Sequence, residues 1–320
     1  MTKYSVLCCF CFLCCGPLLW AQPMNKSSFT VVPLGVKGGI DESNLSSYML
    51  APAGTHEYVC LDAGTIYYGL HKAVEAHVFD SSESIVLQHY IKGYLISHAH
   101  LDHVAGLIIN SPDDAPKNIY GTAYCLNILR DKYFTWEAWA NFANEGEKPA
   151  LGKYHYIYLS SDSETAIAHT SMYVRSFPLS HGAPYQGTAF LLRRDSAYIL
   201  YLGDTGADET EHSDKLQMLW KAVAPLIKAG QIKGIFIETS YPNEQPEKQL
   251  FGHLTPRLLM QEMTILSHLA GAKAMKGLPV LITHMKPTGH PEATIKKQLA
   301  ALNTLQLQLI FPAQASPIKL

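Results

Sequence analysis

Between Ile96 and Pro112 the chain reads ISHAHLDHVAGLIINSP, which packs His98, His100, Asp102 and His103 into six positions ahead of an apolar run. Imidazole and carboxylate groups are the ligands that divalent cations such as zinc, manganese and iron accept. In an extended segment alternate side chains share a face, so His98 and His100 can grip one ion together. Asp102 then falls in the turn and His103 points another way. Four ligands facing two directions suit two ions better than one. Imidazoles this crowded each need partners for their ring nitrogens, which argues for ligands rather than coincidence.

Further candidates stand alone, each at or just after a β-rich run: His181 in PLSHG, Asp204 in YLGDTGAD, Glu238 in IETSYPN and His284 in THMKP. A sheet fans groups at its strand ends toward one edge. Asp204 lies between glycines that permit close backbone approach, and a carboxylate can bridge two cations through its two oxygens. His253, in LFGHLTP, either reaches a substrate or caps the helix that begins beside Thr255. The remaining histidines, among them His56, His71, His89 and His268, read as ordinary surface or core groups.

The elements that must position these groups are short strands interleaved with helices. Strand-like runs include FTVVPLGV, EYVCLDAG, GYLISHAH, YHYIYLS, SMYVRSFPLS, the pair GTAFLLRRD and AYILYLGD, GIFIETSY, LPVLITHM and LQLIFPA. Helical periodicity covers residues 104–110, 123–133, 216–229, 256–274 and 291–302. Ser213 or Asp214 is expected to cap the third of these, and Thr255-Pro256 and His290-Pro291 place proline in a first helical turn. Early strands are linked as hairpins and later ones alternate with helices, a mixture that fits two sheets packed together with helices outside.

No Gly/Ser linker or repeat divides the chain after Phe29, so a single domain over residues 22–320 is expected. Lys+Arg 25 against Asp+Glu 27 gives a formal net charge of −2, and no basic run could track a phosphate backbone, which excludes a long nucleic-acid partner. Residues 1–21 have the anatomy of a cleavable signal peptide: a cation at Lys3, an apolar run from Val6 to Trp20 and small Ala21. That run falls short of the roughly 20 residues of a transmembrane helix, so export is expected, with no membrane span once the leader is removed. Five of the seven cysteines lie in the leader, leaving Cys60 and Cys125 either bridged or as two buried thiols.

The HxHxDH core followed by single His, Asp and His ligands resembles the metallo-β-lactamase fold, and the longer string HAHLDHVAGLIINSP resembles the signature of the class II cyclic-nucleotide phosphodiesterases within it. LDAGT (Asp62), PLSHG, GDTGAD, IETSYPN, LFGHLTP and THMKP extend the resemblance over about residues 29 to 315. It implies an α+β, four-layer αββα sandwich of two mixed β-sheets flanked by helices. It also implies two divalent metal ions, zinc foremost with manganese or iron(II) as substitutes. His98, His100 and His181 would hold the first, Asp102, His103 and His284 the second, and Asp204 would bridge. Asp62 would orient ligands without touching metal, and Glu238 would support a ligand or simply end a strand.

The function so implied is hydrolysis of 3',5'-cyclic AMP, or cyclic GMP, to the 5'-nucleotide by a metal-bridging hydroxide attacking phosphorus in line. Asp102 and Asp204 would serve the reaction directly, and His253 the leaving group. Two divalent cations less two carboxylates and one hydroxide leave about one positive charge, matching the single negative charge of a cyclic phosphodiester. The ligand set alone does not separate phosphorus from carbonyl chemistry, so a lactonase or thioesterase of the same fold is the alternative. An exported binding protein without turnover is the other class, and a homo-oligomer is compatible with either. For the base, the aromatic run YFTWEAWANF offers Trp136 as a stacking ring, unless Trp136 and Trp139 merely form a packed helix face.

Overall fold

The computed structural model describes residues 27–289 and 291–320, so the leader assigned to residues 1–21 lies outside the described residues. Two seven-stranded sheets form the centre. The first contains β1 (Phe29–Gly35), β2 (Ser47–Pro52), β3 (Tyr58–Leu61), β4 (Ile91–Leu95), β5 (Lys117–Gly121) and β6 (Tyr154–Tyr158), with the last strand, β14 (Ile318–Lys319), on the outer side of β1. The second contains β7 (Thr165–Ala166), β8 (Tyr173–Ser180), β9 (Gln186–Arg194), β10 (Ala197–Tyr201), β11 (Ile232–Glu238), β12 (Pro279–Thr283) and β13 (Gln308–Ile310) in sequential order.

Each sheet is antiparallel at one side and parallel at the other. In the first, β1, β2 and β3 pair antiparallel while β3 to β6 pair parallel. The second repeats this, with β8, β9 and β10 antiparallel and β10 to β13 parallel. Parallel neighbours need crossovers, which the helices supply and which cover the outer faces. The inner faces meet in a core built from Phe29, Tyr48, Leu61, Phe190, Tyr201 and Phe236. Outside the first sheet pack α1 (Tyr67–Glu75), the short α2 (Glu83–Ile85), α3 (Leu101–Asn110) and α4 (Ala123–Ile128). Outside the second pack α5 (Asp208–Glu211), α6 (Lys215–Lys228), α7 (Pro256–Ala270), α8 (Ala272–Met275) and α9 (Glu292–Leu302). The architecture is the expected αββα sandwich.

Local chemistry moves some boundaries. The expected helix over 256–274 breaks at Gly271, whose φ of 92° ends α7 after Ala270. Thr255 does cap α7, its hydroxyl accepting from the Leu258 amide. Neither Ser213 nor Asp214 caps α6: the Asp208 carboxylate accepts from the Leu216 and Gln217 amides, at 3.1 and 2.8 Å, and from the Ser213 hydroxyl. Cys60 and Cys125 are both free and buried. No helix among the described residues is long and apolar enough to cross a membrane.

The segment after β3 docks backbone against backbone on α3. The Gly106 amide donates to the Gly64 carbonyl at 2.8 Å, the Leu107 amide to the Ala63 carbonyl at 3.2 Å, and the Ala63 amide to the His103 carbonyl at 2.8 Å. A β-carbon on Gly106 would lie 2.8 Å from the Ile66 amide nitrogen and 2.9 Å from the Ala63 carbonyl oxygen. Helix propensity alone favours alanine over glycine by roughly 0.5–1 kcal/mol. The close approach reverses that sign: Gly106→Ala is expected to lower the thermal midpoint by several degrees in a melting experiment, and a raised midpoint would show that α3 can shift freely on its support.

Candidate metal centre

Every candidate group but His253, which lies in the loop before α7, ends or follows a strand, and those strands run their carboxyl ends to one edge of the sandwich. Asp62 follows β3, His98 to His103 follow β4, His181 follows β8, Asp204 follows β10, Glu238 ends β11 and His284 follows β12. His100 is the residue preceding α3, so Asp102 and His103 sit in its first turn. The structure brings together all seven residues the sequence proposed as ligands.

Their ligand-capable atoms converge in two sets. His98 Nε2 and His181 Nε2 lie 3.1 and 3.2 Å from His100 Nδ1. On the other side His284 Nε2 lies 3.2 Å from Asp102 Oδ2. The Asp204 carboxylate stands between the sets, its Oδ2 at 3.8 Å from both His98 Nε2 and His181 Nε2, 3.3 Å from His103 Nε2 and 3.1 Å from His284 Nε2. Within the triads His98, His100, His181 and Asp102, His103, His284 the ligand atoms all lie within 4.8 Å of one another. His103 Nε2 and Asp204 Oδ1 are buried with no hydrogen-bond partner, the condition of atoms that await a cation. The donor set of neutral imidazoles and carboxylates suits zinc, manganese or iron(II).

Two buried carboxylates set the orientation of the rings. Asp62 accepts from the Ser97 amide at 2.7 Å, the Ser97 hydroxyl at 2.7 Å, the Tyr201 hydroxyl at 2.6 Å and His103 Nδ1 at 2.7 Å. With its proton on Asp62, the Ser97 hydroxyl is left to accept from His98 Nδ1 at 3.0 Å. Glu238 repeats the device: it accepts from the Ser240 hydroxyl at 2.6 Å, whose oxygen meets His284 Nδ1 at 2.9 Å, and it pairs with His253 Nδ1 at 2.7 Å. His181 Nδ1 donates to the Gly252 carbonyl at 2.8 Å. Each of these contacts fixes a tautomer in which Nε2 of His98, His103, His181 and His284 carries the lone pair. Asp62 and His284 adopt left-handed backbone, φ 56° and 58°, a conformation uncommon for residues other than glycine. Gly38 leaves room for the His284 ring, since a β-carbon there would lie 2.2 Å from it.

Electrostatics supports the same assignment of protons. Burial, then the neighbouring His103, pushes His98 well below the ordinary imidazole range, and burial with His181 pushes His100 down to about 4. His181 and His284 are also lowered by burial. These rings are therefore neutral at pH 7, the form in which imidazole can bind a cation. His103 is the exception: burial opposes its charge, but Asp204, Asp62 and Asp102 together raise it well above its usual value. Three carboxylates around one ring demand positive charge, which a cation at Nε2 would provide.

Sequence reasoning missed several of the supporting groups. Ser97, Ser240 and Tyr201 complete the hydrogen-bond relays, and Glu211 holds the His181 loop by accepting from the Ser180 hydroxyl and the Gly182 amide. Tyr185 stacks on His100 with ring centroids 4.2 Å apart. Lys286 stands at the rim, where a β-carbon on Gly39 would lie 3.7 Å from its Nζ, and its positive charge opposes protonation of the neighbouring His253 and His284. The aromatic run after Tyr133 is not a helix. Trp136 has a positive φ of 60° and its indole donates to the Pro149 carbonyl, whereas Trp139 is half-buried and donates to the Ser111 hydroxyl.

The family model for "cAMP phosphodiesterases class-II" matches residues 28–309. A 3',5'-cyclic-nucleotide phosphodiesterase of Aliivibrio fischeri is 43 % identical over 310 residues, covering 92 % of this chain and 94 % of that protein. A probable 3',5'-cyclic-nucleotide phosphodiesterase of Yersinia pestis is 35 % identical, covering 92 % of this chain and 90 % of its own. Among solved structures, unliganded yeast PDE1 superposes with a TM-score of 0.81 at 24 % identity, over 92 % of this chain and 100 % of that one. The metallo-β-lactamase fold protein YhfI from Bacillus subtilis gives 0.60 at 14 % identity, over 91 % and 99 % of the two chains, a likeness of fold alone. With the family model covering residues 28–309, and so every side chain that converges at the centre, this chain belongs to the class II cyclic-AMP phosphodiesterases.

Proposed function

We propose that the protein hydrolyses 3',5'-cyclic nucleotides, cyclic AMP or cyclic GMP, to 5'-nucleotides in a metal-dependent reaction. In this reading His98, His100 and His181 hold one divalent cation, Asp102, His103 and His284 a second, and Asp204 lies between them. The observation that carries it is the position of Asp204 Oδ2, within 3.8 Å of an imidazole nitrogen from each set. The names of the relatives supply the substrate class.

A cation pair so held would supply Lewis acidity that lowers the pKa of a bound water toward neutrality and neutralises phosphoryl charge. The chain's own groups do the rest. Asp102 Oδ2 accepts from the Gly39 amide at 2.9 Å, which leaves the carboxylate at the mouth of the centre to orient the attacking water. Attack on phosphorus breaks the bond to the ribose 3' oxygen, which must take up a proton. His253 is the donor in this scheme. Its Nδ1 is committed to Glu238, so Nε2 is the atom that gives the proton, and although burial opposes a charge on the ring, Glu238 and then Asp204 hold its pKa above the ordinary value. Lys286 adds positive charge at the rim toward the phosphoryl oxygens.

We also carry export through residues 1–21 as part of this proposal. N-terminal sequencing of protein recovered from outside the cytoplasm should begin near residue 22, and intact Met1 there would count against it.

Stripping the protein with chelator should abolish conversion of cyclic AMP to 5'-AMP, followed by phosphorus NMR, and zinc or manganese should restore it. Full turnover in verified metal-free protein contradicts the proposal. Asp204→Ala is expected to lose metal content together with turnover. His253→Ala should lower kcat for cyclic AMP by on the order of 10²-fold or more. The same variant should spare bis(p-nitrophenyl) phosphate, whose phenolate leaves without a proton. Equal losses on both substrates would remove His253 from leaving-group protonation.

A further inference from the structure

A cleft of about 860 Å³ begins at Asp102 and runs away from the metal centre along the outward face of α3. Asp102 belongs to both: it faces His284 on one side and lines the cleft on the other. Ala105 and Ile109 follow it by three and seven residues and therefore continue the same helical stripe. From Asp102 to Ile109 the stripe extends roughly 10 Å, a span suited to a nucleoside. The opposite wall is Ile40 with Tyr67 and Tyr68 at the start of α1, and Trp139 closes the side.

One gradient runs along this cleft. Near Asp102 it is lined by Gly39, Gly64 and Ala105, which leave space beside the phosphate position, whereas the rest of the lining is mostly aliphatic and aromatic, with Glu42, Thr65 and Asn110 as its polar members. Ile40, Tyr67, Tyr68 and Ile109 are all exposed, although neither the hydrophobic core nor any ligand relay needs them there. Concentrated exposed apolar side chains mark a binding surface. An apolar cavity of this size with a polar group at one end is the usual form of a small-molecule site.

We infer that this cleft takes the purine base of the cyclic nucleotide, with Tyr67, Tyr68 and Trp139 offering aromatic faces to the ring. The inference rests on the cyclic-nucleotide reading of the metal centre. It moves base recognition from Trp136, which does not line the cleft, to Trp139 and to a helix start that the sequence did not single out. Stacking on such rings tolerates either purine, since every base presents a π-face.

Two variants test it without touching the metal ligands: Ala105→Phe, which fills the cleft, and Tyr67→Ala/Tyr68→Ala, which removes two exposed rings. Binding of 5'-AMP and of inorganic phosphate to the metal-loaded protein would be measured by calorimetry, beside KM and kcat for cyclic AMP and the sedimentation of each protein. Each variant should weaken 5'-AMP about ten-fold and raise KM by a similar factor, while phosphate binding stays within about two-fold. Unchanged 5'-AMP affinity and KM in both variants, with wild-type protein still hydrolysing cyclic AMP, overturns the cleft assignment and leaves the metal-centre reading intact. So does a wild-type dimer that the double variant dissociates without loss of nucleotide affinity, because the face would then belong to a second copy. Absence of cyclic-AMP turnover in metal-loaded wild-type protein overturns both readings.

Discussion

A carboxylate can be buried only where its charge is answered, and the Asp204 side chain is 2 % exposed at the meeting point of the strand ends. Burial on its own would raise its pKa, yet His284 and His103 hold it well below the carboxylate range. The surrounding imidazoles are in turn pinned by Asp62 and Glu238, each shared between one histidine held directly and one reached through a serine hydroxyl. Removing any one of these buried groups leaves its partners unpaired. The hydrogen bonds therefore hold the rings in the orientation that a centre placing reacting atoms requires.

The fold explains why such a cluster can exist at all. Both sheets turn from antiparallel to parallel pairing, so residues distant in the chain arrive at one edge by way of strand carboxyl ends. The polar residues stay at that edge, while the layer between the sheets is filled by Phe29, Tyr48, Phe190 and Phe236. The backbone contacts between residues 63–66 and α3 then tie Asp62 to the helix that carries Asp102 and His103.

Much of this was legible from residue types. His98 to His103 announced themselves by crowding, and His181, Asp204 and His284 by their places after β-rich runs. Helix starts with a proline or a capping hydroxyl, such as Thr255-Pro256, were readable for the same local reason. What escaped depends on tertiary approach. Ser97 and Ser240 are common residues whose relay roles arise only when Asp62 and Glu238 fold beneath them, and Asp208 caps α6 from eight residues before Leu216. The start of α1 went unseen because Ile66 offers no capping side chain. β2 and β5 went unread as well, and the polar Lys117-Asn118 opening KNIYG interrupts the apolar pattern of β5. The cleft beside Asp102 is assembled from four separated segments, so no single stretch carried its signal.

The proposed chemistry stands on seven side chains sharing two cations. The most direct measurement is elemental analysis of fully active, extensively dialysed protein against its amino-acid concentration. The account requires two divalent ions per chain, both needed for turnover. Full activity with one ion or none would contradict it.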